Sequence, residues 1–150
     1  MALNSAGKEG IQLKEVSMER VKVAVPVEGE NLQIVTRTGR APFFAIFEVG
    51  PEGVQFLELR ENGHAREHAG EGHQESPEPH TEQEIEHHRH HLKAAQLGEC
   101  KYILVRGLGP NMRDALQREG IIPIKISKKD GERADQVVTL YRPHLLAGTF

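Results

Sequence analysis

Nine histidines occur in 150 residues, and eight of them (His64, His68, His73, His80, His87, His88, His90 and His91) fall between residues 61 and 91. Imidazole is a borderline ligand suited to zinc, copper, nickel and iron. His87 and His91 stand four residues apart on a segment with helical periodicity, so their rings can converge on one divalent transition metal. His64 and His68 share that spacing, but in a stretch rich in Gly, Glu, Pro and Ser that reads as loop. His88 falls on the apolar stripe with Ile85, Leu92 and Ala95, which suits a half-buried core residue. The plainer alternative for the whole cluster is a solvated, low-complexity linker with incidental metal affinity. The one cysteine, Cys100, precedes an apolar run; it is either a small core hydrophobe or a single thiolate ligand.

Two glycine-containing loops offer a different chemistry. Arg37 and Arg40 flank Gly39 in the loop 36–42. Guanidinium forks bind anions, and a glycine between them lets a ligand approach the backbone. Gly107, Gly109 and Asn111 belong to the run Gly-Leu-Gly-Pro-Asn, set between an apolar strand and a helix start. Amide N–H groups and the helix dipole favour an anion at such a place. A dinucleotide fingerprint would need a glycine at 112, where Met112 stands. The alternatives are an ordinary surface turn and a tight strand-to-helix turn. No Ser/His/Asp spacing, P-loop or HExxH motif occurs. Two tyrosines and no tryptophan argue against a base-stacking surface, so a nucleic-acid partner is not expected.

The elements that would position these residues follow from patterning. Val21, Val23, Val25 and Val27 alternate with smaller or polar residues, a strand with Pro26 near its end. Residues 32–36 read as a short second strand. The run 43–49 is apolar on both faces, which predicts an interior strand. A Gly-Pro-Glu-Gly turn at 50–53 returns the chain as a strand over 54–60. Residues 61–82 hold almost no large apolar side chain and are expected to be a long flexible loop. Thr81 and Glu84 form a capping-box pair that starts a helix ended by Gly98. The apolar run 102–105, an amphipathic helix closed by Gly120, and a strand over 121–126 form a parallel strand–helix–strand unit. Ala134, Val137, Val138 and Tyr141 mark a last helix. The expectation is a single α/β domain: one mixed sheet flanked by helices over 20–141, interrupted by 61–82, with a loose arm at 1–19 and a tail at 142–150.

Net charge is −3, unevenly spread: residues 61–91 hold eight glutamates against two arginines. The rest of the chain is therefore mildly basic, which suits a small anion better than a long nucleic acid. No signal-peptide pattern and no apolar run of membrane-spanning length is present, so a cytoplasmic location without membrane association is the default reading.

Three stretches together resemble the dinitrogenase iron–molybdenum cofactor biosynthesis family, which includes NifX-like proteins and the C-terminal domain of NifB-like proteins. They are the strand 21–27, the run Gly39-Arg40-Ala41-Pro42-Phe43-Phe44-Ala45-Ile46-Phe47-Glu48-Val49, and Glu61-Asn62-Gly63-His64. Residues 100–105, the Gly107 to Asn111 run and Leu116-Gln117-Arg118-Glu119-Gly120-Ile121 match its second half, so the likeness covers about 20–140. The resemblance implies a ribonuclease-H-like five-stranded mixed sheet without nuclease activity. It also implies binding of a metal–sulfur cluster (Fe–S, Mo–Fe–S or Mo–Cu–S) near the loops holding Arg37, Gly39, Arg40, Gly107 and Gly109. Family members often carry His-Phe before the Gly-Arg; Arg37-Thr38 stands here, and the histidines of the 61–91 segment are the ones that could replace it.

A carrier or scaffold for an anionic cluster, not an enzyme, is thus the leading expectation, with metallocofactor-assembly or acceptor proteins as partners. Arg37, Gly39, Arg40, Gly107, Gly109 and Asn111 would hold the cluster, and His64, His68, His87, His91 and Cys100 would supply metal ligands. The alternative is a His-rich buffer or delivery protein for nickel, zinc or copper. A nuclease needs several carboxylates converging on metal, and the first strands offer Glu48 and little else.

Overall fold

A computed structural model describes residues 20–63 and 80–150. The arm 1–19, and His64, His68 and His73 with it, lie outside the described residues.

Five strands form one mixed sheet: β1 (Val21–Val27), β2 (Phe43–Gly50), β3 (Gly53–Glu61), β4 (Tyr102–Val105) and β5 (Ile122–Lys125). Their order across the sheet is β3-β2-β1-β4-β5. β1, β2 and β3 form an antiparallel meander, whereas β1, β4 and β5 run parallel. The two-faced apolar pattern of β2 follows from its interior place, and all four residues of β4 are buried for the same reason. β1 occupies the centre despite Pro26. The side of Pro26 turned from β2 faces no β4 residue, because β1 pairs with β4 only at Val23 and Ala24, and the Pro26 carbonyl accepts from the Val35 amide.

Helices cover both faces. α1 (Glu82–Ala94) and α2 (Pro110–Arg118) pack with Ala24, Phe44, Ile46, Ile103 and Val105 on one side. α3 (Ala134–Ala147) packs with Val23, Val25, Phe47, Tyr102 and Leu104 on the other. Alternation along β1 and β4 thus splits their residues between two cores.

Three expectations are corrected. Residues 32–36 form no strand. Leu32 turns through a positive φ of 60°, and the ribbon then bonds in succession to different neighbours. Ile34 bridges Val27, Gln33 bridges Arg133 and Arg37 bridges Gly107, so no single partner supplies a ladder. α1 ends before Gly98. Gln96 takes the left-handed conformation at φ 57°, and Arg60 donates to the carbonyls of Ala95 and Gln96 at 3.3 and 3.0 Å. The last helix runs past Tyr141 through Pro143 to Ala147, because Leu145 is still buried in the α3 face of the core. Among the described residues no helix is long and apolar enough to cross a membrane.

Candidate functional site

β1 and β4 point the same way and lie side by side, but the chain leaves β1 toward β2 on one flank and leaves β4 toward β5 on the other. In α/β sheets such a divergence opens a crevice beyond the carboxyl ends of the strands. The loops after β1 and β4 meet there. The Thr38 amide and Thr38 Oγ1 both donate to the Gly107 carbonyl, at 3.2 and 2.8 Å. A side chain at 107 would stand 2.9 Å from the Thr36 carbonyl oxygen, so glycine is what lets the two backbones close up.

Buried polar side chains gather around this junction. Five are found among the described residues: Thr38, Asn62, His88, Arg106 and Asn111. Thr38 locks to Gly107 as above. Asn62 donates through Nδ2 to the Ala41 carbonyl at 2.9 Å, and its amide donates to Pro42 at 2.9 Å, tying the end of β3 to the Arg40 loop. Arg106 follows β4 and donates to the carbonyls of Ile34 (3.4 Å) and Gly131 (2.8 Å), joining the loops that follow β1 and β5. Asn111 lies in the first turn of α2. The hydrogen bonds of Thr38, Asn62 and Arg106 hold these loops in register.

Arg37 and Arg40 frame the 3-10 turn Thr38–Arg40, and both are exposed. α2 starts from Gly109, which offers no side-chain cap, and it has no acidic residue in its first turn. α1 and α3 by contrast carry Glu82, Glu84 and Asp135 in theirs. The positive end of the α2 dipole is therefore not offset by a carboxylate of its own first turn. A side chain at Gly109 would meet nothing within 4 Å, so that corner is open. The sequence-predicted anion residues Arg37, Gly39, Arg40, Gly107, Gly109 and Asn111 thus belong to two loops joined at Thr38–Gly107. Exposed guanidiniums, a helix N-terminus and close backbone suit an anion larger than a single carboxylate.

Among the described residues the predicted metal ligands His87, His91 and Cys100 are not brought together in the same way. His87 and His91 are half-buried on α1, with ring centroids 4.9 Å apart and edge-on. Among the described residues no group of three or more His, Cys, Asp or Glu side chains is placed to hold a metal ion. Cys100 lies before β4, at the opposite end of the strand from Gly107, and the four residues of β4 alone span about 13 Å. It is 1% exposed and packs in the α1–α2 core, and desolvation pushes its thiol up to about 11. This burial in the apolar core is what the core-hydrophobe reading of Cys100 expects.

One residue emerges from an unexpected place. His88 is buried, and among the described residues outside the adjoining chain its Cε1 is the heavy atom that comes within 4 Å of the Cβ position of Gly39, at 4.0 Å. The Ile85, His88, Leu92 spacing turned His88 inward, but nothing in the sequence said which loop α1 would cover.

The dinitrogenase iron–molybdenum cofactor family model matches residues 19–143. The chain belongs to this family. The match spans both loops of the junction, α1 and all five strands. No curated protein sequence matches the chain. Among solved structures, a NifB protein from Thermotoga is 17% identical over 81% of this chain and 86% of its own, with a TM-score of 0.52. The apo form of the orange protein from Desulfovibrio gigas is 21% identical over 85% of this chain and 88% of its own, with a TM-score of 0.50. At these identities the two structures establish a shared fold.

Proposed function

We propose that this protein holds or carries an anionic metal–sulfur cluster during assembly of a metallocofactor. The observation that carries the reading is the joined pair of loops at the β1/β4 divergence, where Arg37, Arg40 and the α2 N-terminus surround an opening backed by buried polar residues. A sulfide-bridged cluster is negatively charged, so guanidiniums and amides can retain it with few direct metal bonds. The donor set fits that cargo better than a bare divalent cation, which would need three or more converging ligands. Membership of the iron–molybdenum cofactor family supports the same cargo class, and acceptor or assembly proteins follow as partners.

The test is anaerobic reconstitution with ferrous iron, sulfide and tetrathiomolybdate, then desalting, metal and sulfide analysis and a visible spectrum. Metal and sulfide co-eluting with charge-transfer bands supports a carrier. Arg40→Ala should then lower retention while leaving the melting temperature unchanged, since Arg40 is exposed. Equal retention by Arg40→Ala removes this loop from the site.

A second reading, a histidine-based buffer for nickel, zinc or copper, has one observation in its favour, the His87–His91 ring pair. The deletion that separates the two must stop at 64–79. Ile85 and Leu92 of α1 are core residues, and removing them would unfold the domain. Metal uptake without sulfide that is lost when that deletion is combined with His87→Ala and His91→Ala supports the buffer.

A further inference from the structure

We infer that His88 is a direct metal ligand of the cluster site, reaching it from α1 through the gap left by Gly39. This rests on the carrier reading above and adds a residue outside both anion loops. Cε1 lies between the two ring nitrogens, so the edge of the imidazole that faces Gly39 is the nitrogen-bearing one. Among the described residues no other heavy atom outside the adjoining chain comes within 4 Å of the Cβ position at 39, which leaves a space beside that edge. A side chain at 39 would fill it.

The ring is well fixed. His88 lies between Ile85 and Leu92 on the buried face of α1, and its own exposure is 3%. A ligand whose orientation is set by packing loses little freedom on coordination. The neighbouring helix histidines differ. His90 is exposed, and His91 packs against Gly63, with Nδ1 2.7 Å from the Cβ position there, on the β3 side of the helix. Arg37 and Arg40 surround Gly39 on the outer side and would carry the charge of the cluster, leaving one imidazole to make the metal bond. The bond forms from the lone pair of a neutral imidazole to an iron or molybdenum atom. It displaces one exogenous ligand, water or thiol, with no change of oxidation state.

The experiment uses the full chain loaded anaerobically with ferrous iron, sulfide and tetrathiomolybdate. Wild type is compared with His88→Ala, His88→Gln and His90→Ala. Readouts are metal and sulfide retained after desalting, the visible spectrum, thermal melting of the unloaded protein, and nitrogen hyperfine coupling in wild type labelled with ¹⁵N-histidine. Retention is expected to fall at least tenfold in both His88 variants and to stay within twofold in His90→Ala, at an exposed position of the same helix. Histidine nitrogen coupling is expected in wild type and absent in His88→Gln. The Gln variant and the coupling decide the matter even if His88→Ala fails to fold. Equal retention and an unchanged spectrum in His88→Gln, or wild-type cluster without histidine coupling, overturns the assignment and leaves the carrier reading standing. Failure of wild type to retain sulfide-bound metal overturns both.

Discussion

Substitutions at Thr38 and Gly107 strike the junction from opposite sides, and the structure sets the size of each effect. Thr38→Val keeps the shape of a side chain that is 1% exposed and removes the 2.8 Å bond from Oγ1 to the Gly107 carbonyl. That carbonyl keeps the Thr38 amide as a donor, so it is not orphaned. The loss should be about 1 kcal/mol. For a domain of this size the melting temperature should drop about 3–5 °C. Gly107→Ala introduces a Cβ 2.9 Å from the Thr36 carbonyl oxygen, which belongs to backbone and cannot rotate away. Its φ is ordinary, so the whole cost, about 1–3 kcal/mol, comes from pushing the two loops apart. Once they are apart, the Thr38 hydroxyl has less to lose. The double variant should therefore cost less than the sum by about 0.5 kcal/mol or more. Urea titration followed by far-ultraviolet circular dichroism measures all three, with a constant slope and a shifted midpoint. Gly98→Ala is the control, since a side chain there would meet nothing within 4 Å. Strict additivity would refute the reasoning, as would a Gly107→Ala variant as stable as its parent.

Further outcomes are expected elsewhere. Desolvation raises the Cys100 thiol to about 11 in the folded chain, above its ordinary value of 9.0. A raised acid contributes stability below the unfolded value and loses it as pH climbs through the folded one, so stability should decline between about pH 9 and 11. Cys100→Ala should flatten that part of the pH profile, and a thiol reagent at pH 8 should label wild type only at the rate of unfolding. Gln96 is exposed and held at φ 57°, so Gln96→Gly should raise stability by about 0.5–1 kcal/mol, read as a higher urea midpoint. Thr81 caps α1 by accepting from the Glu84 amide at 3.1 Å, and Thr81→Ala should cost about 1 kcal/mol in the same titration.

What the sequence made legible was what depends on local pattern. The apolar runs at β2 and β4 announced their interior places because burial on both faces leaves no polar alternation. Arg37, Gly39, Gly107 and Gly109 were legible as residues of the two loops that the structure joins. What stayed hidden depended on partners distant in the chain. Leu32 and Ile34 carry strand-like side chains, yet their segment bridges three separate neighbours, through Gln33, Ile34 and Arg37, which no local pattern encodes. Gln96 ends α1 in place of Gly98 because Arg60, far away on β3, donates to the last carbonyls. His88 was visible as an inward residue and invisible as a neighbour of Gly39. Cys100 carried two readings, and its burial at the far end of β4 is what the core-hydrophobe one expects.

The central place of β1 has a consequence for how the chain reaches this structure. β2 and β3 follow β1 directly and can zip onto one of its edges as soon as they exist, but the other edge waits for Tyr102 and Ile103. Roughly 75 residues separate the end of β1 from that partner, so during synthesis the edge stays unpaired for about 4–15 s. Through that interval a valine-rich strand with open amides and carbonyls is exposed to other nascent copies. Pro26 lacks the amide that such a copy would use on that side. The proline that looks misplaced in a central strand, its carbonyl taken by the Val35 amide, thus shortens the stretch of edge a second copy could extend, and replacing it with valine should lower soluble yield more than it lowers the stability of the folded protein.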